Sequence, residues 1–78
     1  MERRAKQSIL ISKDIVKSRQ GAKIIARRFA DRIYTIRETK NWYRFRQRPP
    51  EDFIEGSFRT FEVKKGVRVI YGTLKEHE

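Results

Sequence analysis

Between Trp42 and Arg48 the chain reads Trp-Tyr-Arg-Phe-Arg-Gln-Arg. If extended, this stretch sends Trp42, Arg44, Arg46 and Arg48 to one face and Tyr43, Phe45 and Gln47 to the other, because strand side chains alternate with a period of two. One face suits a core; the other carries a row of guanidinium groups. At ~3.4 Å rise per residue those arginines stand roughly 7 Å apart, close to two phosphate steps along one strand of a duplex. Guanidinium forks grip phosphates or guanine edges, and an indole among them can stack on a base or support an arginine by cation–π contact. The same row would also serve to keep the wet side of a hairpin from pairing edge to edge, so the rest of the chain has to decide.

The rest of the chain is basic throughout. Twenty Lys and Arg against ten Asp and Glu give 78 residues a formal charge of +10, which attracts polyanions and disfavours basic partners. Cations recur at Arg3 and Arg4 in an N-terminal arm and at Arg59, Lys64 and Lys65, which makes these residues flanking contacts for a nucleic-acid backbone. There is no cysteine, so disulfides and thiolate metal sites are excluded and the compartment is compatible with cytoplasm. His77, the single histidine, lies in a polar tail where one ligand does not make a metal site. The apolar runs Ile9–Ile11 and Val69–Tyr71 are far too short to span a bilayer, and no membrane partner is expected.

A catalytic reading starts from Asp52, followed ten residues later by Glu62-Val63-Lys64. The set is loosely similar to the Pro-Asp…Glu-x-Lys pattern with which metal-dependent nucleases bind Mg²⁺ through two carboxylates and place a lysine near the attacking water. Here Glu51 separates Pro50 from Asp52, and Glu62-Val63-Lys64 reads equally as a strand entering a Lys-Lys-Gly turn. The expectation is a protein that is not an enzyme and uses no cofactor.

Elements must position these residues. Ser18 can cap a helix, and Ala22, Ile25, Ala26, Phe29, Ala30 and Ile33 recur at the spacing of one apolar stripe, which predicts a helix over 19–31. From Ile33 to Glu38 the period becomes alternating, predicting a strand. Thr39-Lys40-Asn41 supplies a turn, with Asn41 suited to a left-handed conformation, returning the chain into Trp42–Arg48 as a hairpin partner. Pro49 and Pro50 end that strand. Glu51 to Glu55 reads as a helical turn closed by Gly56, with Phe53 or Ile54 tucked beneath it. Ser57–Val63 and Val67–Leu74 read as a second hairpin about Lys64-Lys65-Gly66. Ser8–Ile11 is a short strand or turn.

The predicted fold is α+β: one amphipathic helix packed on about four antiparallel strands arranged as two hairpins. The predicted organisation is a flexible basic arm over 1–7, a single domain over 8–75 and a polar tail over 76–78. Arg59 is expected to pair with Glu51, Asp52 or Glu55, although Gly56 and Ser57 with Arg59 would also make an anion-binding nest.

The segments Tyr43–Pro50 (Tyr-Arg-Phe-Arg-Gln-Arg-Pro-Pro), Phe53, Gly56–Thr60 (Gly-Ser-Phe-Arg-Thr), Gly66-Val67 and Gly72 resemble, in order and spacing, a short module in uncharacterised proteins of phages and other mobile elements. The resemblance covers about the last half of the chain. It implies an accessory protein of a virus or mobile element and transfers no catalytic residue. Together with the arginine row it points to nucleic acid, DNA rather than RNA, through Arg3, Arg4, Trp42, Arg44, Arg46, Arg48, Arg59, Lys64 and Lys65. The alternative is an acidic protein partner, such as a virion component or a host factor, met through Trp42 and the arginines. Edge pairing of two copies would double the basic surface. Two binding geometries stay open: a β-ribbon entering a major groove, and a sheet face cradling a single strand.

Overall fold

The computed structural model describes residues 3–30 and 36–75. Its elements are β1 (Arg4–Ser12), α1 (Arg19–Ala26), β2 (Ile36–Glu38), β3 (Trp42–Arg46), a 3₁₀ turn (Pro50–Asp52), β4 (Arg59–Lys64) and β5 (Val67–Thr73). The five strands form one antiparallel sheet in the order β2-β3-β1-β5-β4. Two sequence-local hairpins, β2–β3 and β4–β5, therefore lie on either side of β1. The architecture is α+β as the periodicity predicts, with one strand more than the hairpins alone supply.

That extra strand changes the N-terminus. Arg4 to Gln7 are not a loose arm: they form the first half of the central strand, opposite Thr73, Gly72 and Tyr71 of β5. The register shifts between Lys6 and Ser8, and the extra residue, Gln7, accepts at its carbonyl from the N–H of Gln47 at 2.8 Å. A β-bulge of this kind lets one strand bend between two neighbours. Ser8–Ser12 pairs with both β3 and β5, whereas Arg4–Lys6 pairs with β5 alone and is held there by backbone bonds.

The core lies between α1 and one face of the sheet. Ile9 and Ile11 of β1, Tyr43 and Phe45 of β3, and Val67 and Val69 of β5 are buried against Ala22 and Ala26. Two alanines let the helix approach the sheet closely, while Ile25, Phe29 and Ala30 pack around them. Ser18 caps the helix, its Oγ accepting from the N–H of Gly21 at 3.0 Å. The helix is shorter than its stripe predicts. It ends at Ala26, followed by tight turns in which Arg28 donates to Ile25 and Phe29 to Ala26. Lys6 anchors that end by donating its Nζ to the Phe29 carbonyl. The early part of the strand expected over Ile33–Glu38, and Ile33 itself, lie outside the described residues except for Ile36–Glu38.

The turns follow their residues with one exception. Gly66 takes φ +81°, and a Cβ there would stand 2.7 Å from Ile15 Cγ2, so the β4–β5 turn needs glycine on two counts. No residue other than glycine has a positive φ among those described, so Asn41 is not left-handed. The β2–β3 connection is held instead by Thr39, whose N–H donates to the Trp42 carbonyl at 2.9 Å and whose Oγ1 accepts from the Trp42 N–H at 3.2 Å. On the sheet face opposite the helix, Phe53 is buried over Gly72 and stacks with Phe58 at 5.4 Å, whereas Ile54 stays exposed. Phe53 bridges to Leu74, which fastens the 3₁₀ segment to the end of β5.

Candidate nucleic-acid interface

The register assigns each side chain to a face. Phe45, Ile9 and Val69 lie opposite one another and point to the helix, so their neighbours in sequence point away from it. On β3 those neighbours are Trp42, Arg44 and Arg46, which do share one face. Two further arginines join them. Arg37 of β2 lies directly opposite Arg44, and Arg68 of β5 lies opposite Leu10, which is itself opposite Arg44. One row thus crosses the sheet as Arg37, Arg44, Leu10, Arg68 and Glu62.

The central strand makes room for these long side chains. On the same face β1 places Ser8, Leu10 and Ser12, so arginines from β3 and β5 lean over small or short residues. Arg44 leans toward the bulge: its Nε donates to Ser8 Oγ at 3.2 Å and its guanidinium also donates to Gln7 Oε1 at 3.3 Å. Ser8 Oγ in turn donates to Gln7 Oε1 at 2.7 Å. Arg68 leans the other way and puts its guanidinium carbon 4.9 Å from the centroid of the Trp42 ring. Glu62, directly opposite Arg68, accepts from the Gly66 N–H at 3.4 Å instead of pairing with it.

The electrostatics of this face are unfavourable to the fold. Burial lowers the Arg44 guanidinium from its ordinary value, and Arg46 and Arg37 lower it further by repulsion. Like charges directly opposed on neighbouring strands are destabilising. Among the described residues the ion pairs are Lys13–Glu38 at 2.8 Å and Arg19–Glu38 at 3.0 Å. Both engage Glu38, whose position opposite Tyr43 is on the helix side. None of Arg37, Arg44, Arg46 and Arg68 pairs with a carboxylate of the described residues.

The other cations singled out in the sequence fall elsewhere. Arg48 follows β3 and, with Arg3, Arg4 and Lys6, lines a cleft of about 530 Å³. Arg4 also borders a trough of about 660 Å³ on the helix side, with Arg59, Phe61, Val63 and Tyr71. Arg59 opposes Tyr71 and so lies on the face away from Arg44. It does not pair with Glu51, Asp52 or Glu55: its guanidinium donates to the carbonyls of Phe58 at 2.9 Å and Gly56 at 3.4 Å. The local chain satisfies it before any acid can. Lys64 and Lys65 are exposed at the β4–β5 turn. Trp42, Arg44 and Arg46 therefore stand together, Arg3, Arg4 and Arg48 gather at one end of the sheet, and Arg59 is separate.

Arg37 and Arg68 join the face only when the sheet is assembled. Arg68 alternates between Val67 and Val69, which would have placed it off the core, but only strand order brings it to Trp42. Among the described residues no three His, Asp or Glu side chains gather as a metal site, and no helix is long and apolar enough to cross a membrane. Comparison with known families, with curated proteins and with solved structures gives no match for this chain.

Proposed function

We propose that this chain is a non-catalytic nucleic-acid-binding module that meets its ligand with the sheet face opposite α1. The observation that carries the reading is the set Arg37, Arg44, Arg46 and Arg68 beside Trp42 on one face, unpaired with any carboxylate among the described residues. A fold that places two arginines directly opposite each other sacrifices stability there, and a polyanion laid on the face removes that repulsion. DNA is favoured over RNA by the resemblance to modules of phages and mobile elements, which would make the chain an accessory protein of such an element, acting in the cytoplasm of its host.

A salt titration of binding tests the reading. With labelled DNA in fluorescence anisotropy, four phosphate contacts predict a log–log slope near −3.6 on a duplex or about −2.8 on a single strand, from roughly −0.9 and −0.7 per contact. A slope near zero, or no binding at low salt, contradicts it.

The second reading is an acidic protein partner, and the observation favouring it is β4. This edge strand is exposed along its whole length, and Phe61 and Val63 remain 50% and 43% exposed beside Arg4 and Arg59. An acidic strand added there, or a second copy, would pair the free edge. Partner capture that survives nuclease treatment favours this reading; capture that the treatment abolishes favours the first.

A further inference from the structure

We infer that the ligand of the arginine face is single-stranded nucleic acid, with a base stacked at Trp42 and Arg68 and phosphates following β3 toward Arg48. This rests on the nucleic-acid reading above and adds the form of the ligand, which the width of the face decides. Arg37 and Arg68 stand on strands three spacings apart, ~14 Å between backbones before side chains are added, in a sheet of five strands. A major groove is about 12 Å wide. A β-ribbon enters it with two strands whose flanks are free. Here β3, β1 and β5 are each bonded on both sides, so the arginines have no ribbon to carry them into a groove.

The indole points to the same ligand. Trp42 is the one tryptophan in the chain, half-buried on the arginine face with Arg68 over its ring. Bases of an intact duplex hide their π-faces in the stack, whereas a single strand offers them to aromatic and guanidinium planes at each nucleotide. Of the other described aromatics, Tyr43 and Phe45 are in the core, Phe53 is buried over Gly72 with Phe58 tilted against it, and Phe61 contacts Tyr71 on the helix side. Among the described aromatics of this face, Trp42 is the one with an arginine over its ring.

The cations then define a track. Arg44 uses Nε and one further N–H on Ser8 and Gln7, which fixes its fork and leaves the remaining N–H groups for a phosphate. From Trp42 the line of Arg44 and Arg46 runs ~14 Å along β3, and two residues beyond the strand Arg48 lines a cleft with Arg3, Arg4 and Lys6 at the end of the sheet. That length matches about four nucleotides at ~3.4 Å each, at the lower end of the usual site size of single-strand binding folds, about 4–16 nucleotides.

Because Trp42 is unique, its own fluorescence reports on the stacking position. The experiment titrates the full chain with three ligands of equal length, an oligodeoxythymidylate, a mixed-sequence duplex and an abasic phosphodiester strand, reading Trp42 emission and, in parallel, the anisotropy of a label on the ligand. The oligodeoxythymidylate is expected to quench Trp42 and to bind at least about tenfold more tightly than the duplex; the abasic strand is expected to bind without quenching. Trp42→Ala should weaken oligodeoxythymidylate binding about 5- to 150-fold and leave the abasic strand unaffected. Trp42→Phe, which keeps a ring, should retain most of the affinity and takes its place if the alanine variant does not fold. Duplex binding as tight as single-strand binding, or single-strand binding that leaves Trp42 emission unchanged, overturns the inference while the nucleic-acid reading stands. Failure of all three ligands to bind overturns the reading beneath it as well.

Discussion

The guanidinium carbon of Arg68 lies 4.9 Å from the centroid of the Trp42 ring although the two residues stand on β5 and β3, which are not neighbours in the sheet. The contact is made across β1, over a strand that puts Ser12 opposite Trp42 and Leu10 opposite Arg68. At an exposed site such a contact contributes about 0.5–1 kcal/mol. Arg68→Ala is expected to lower stability in urea by about that amount and to shift the emission maximum of Trp42. Unchanged stability and emission would show that the contact is not held in solution.

Gly72 tests the second layer of packing, on the side of the sheet away from the helix. A Cβ there would stand 2.5 Å from Phe53 Cδ1, and Phe53 is a buried ring with little freedom to move. Gly72→Ala should therefore destabilise by about 1–3 kcal/mol, as overpacking does. The double variant with Phe53→Leu should recover part of that loss. Chemical denaturation of the two variants checks both values, and a neutral Gly72→Ala would mean that Phe53 does not seat on the sheet.

Glu38 ties β2 to the helix layer. It accepts from Lys13 Nζ at 2.8 Å and from Arg19 Nε at 3.0 Å, and these two bonds, Lys13's first, hold its carboxyl below the usual carboxylate range. Since the folded value is the lower one, the unfolded chain takes up this proton first as pH falls. The stabilisation is thus complete above the ordinary glutamate value of about 4.3 and fades as pH drops through the lowered one. Glu38→Gln should be less stable than the parent at neutral pH and should approach it in acid. Thermal unfolding of both proteins from neutral to acid pH shows this as converging curves; parallel curves contradict it.

Arg44 should separate stability from binding. Its charge is opposed by burial and by Arg46 and Arg37, and its removal leaves Ser8 Oγ and Gln7 Oε1 bonded to each other. Arg44→Met keeps the length and apolar stem of the side chain without the charge, and replacements of this kind are often neutral or stabilising. It is expected to unfold at an equal or higher temperature while binding nucleic acid less tightly. A variant that is clearly less stable would show that Arg44 is held for the fold.

Hairpins, cap and core were legible in the sequence because each rests on local chemistry: Ser18 before an apolar stripe, Pro49 and Pro50 after an alternating run, Gly66 in a Lys-Lys-Gly turn. The central strand was legible only in its second half, where Ser8–Ile11 reads as a short strand or turn. Arg4 to Gln7 reads as polar chain, and its place is fixed by backbone pairing to β5 and by a bulge at Gln7, neither of which leaves an apolar period. The candidate site divides in the same way. Trp42, Arg44 and Arg46 share a face through alternation within one strand, which a sequence shows directly. Arg37 and Arg68 join them through strand order, a long-range property. Arg59 was misassigned because carbonyls one and three residues before it on its own chain are not visible as partners in a list of charges.

The most direct test of the central claim compares two variants of equal charge. Arg46→Glu/Arg68→Glu reverses two cations on the face opposite α1, and Lys17→Glu/Arg28→Glu reverses two exposed cations flanking the helix. Each lowers the net charge from +10 by the same four units. Affinity for labelled single-stranded DNA, measured by anisotropy at one salt concentration on proteins shown by circular dichroism to be folded, should fall far more for the face pair than for the helix pair. Equal losses would mean that net charge alone attracts DNA and that the sheet face is not the site.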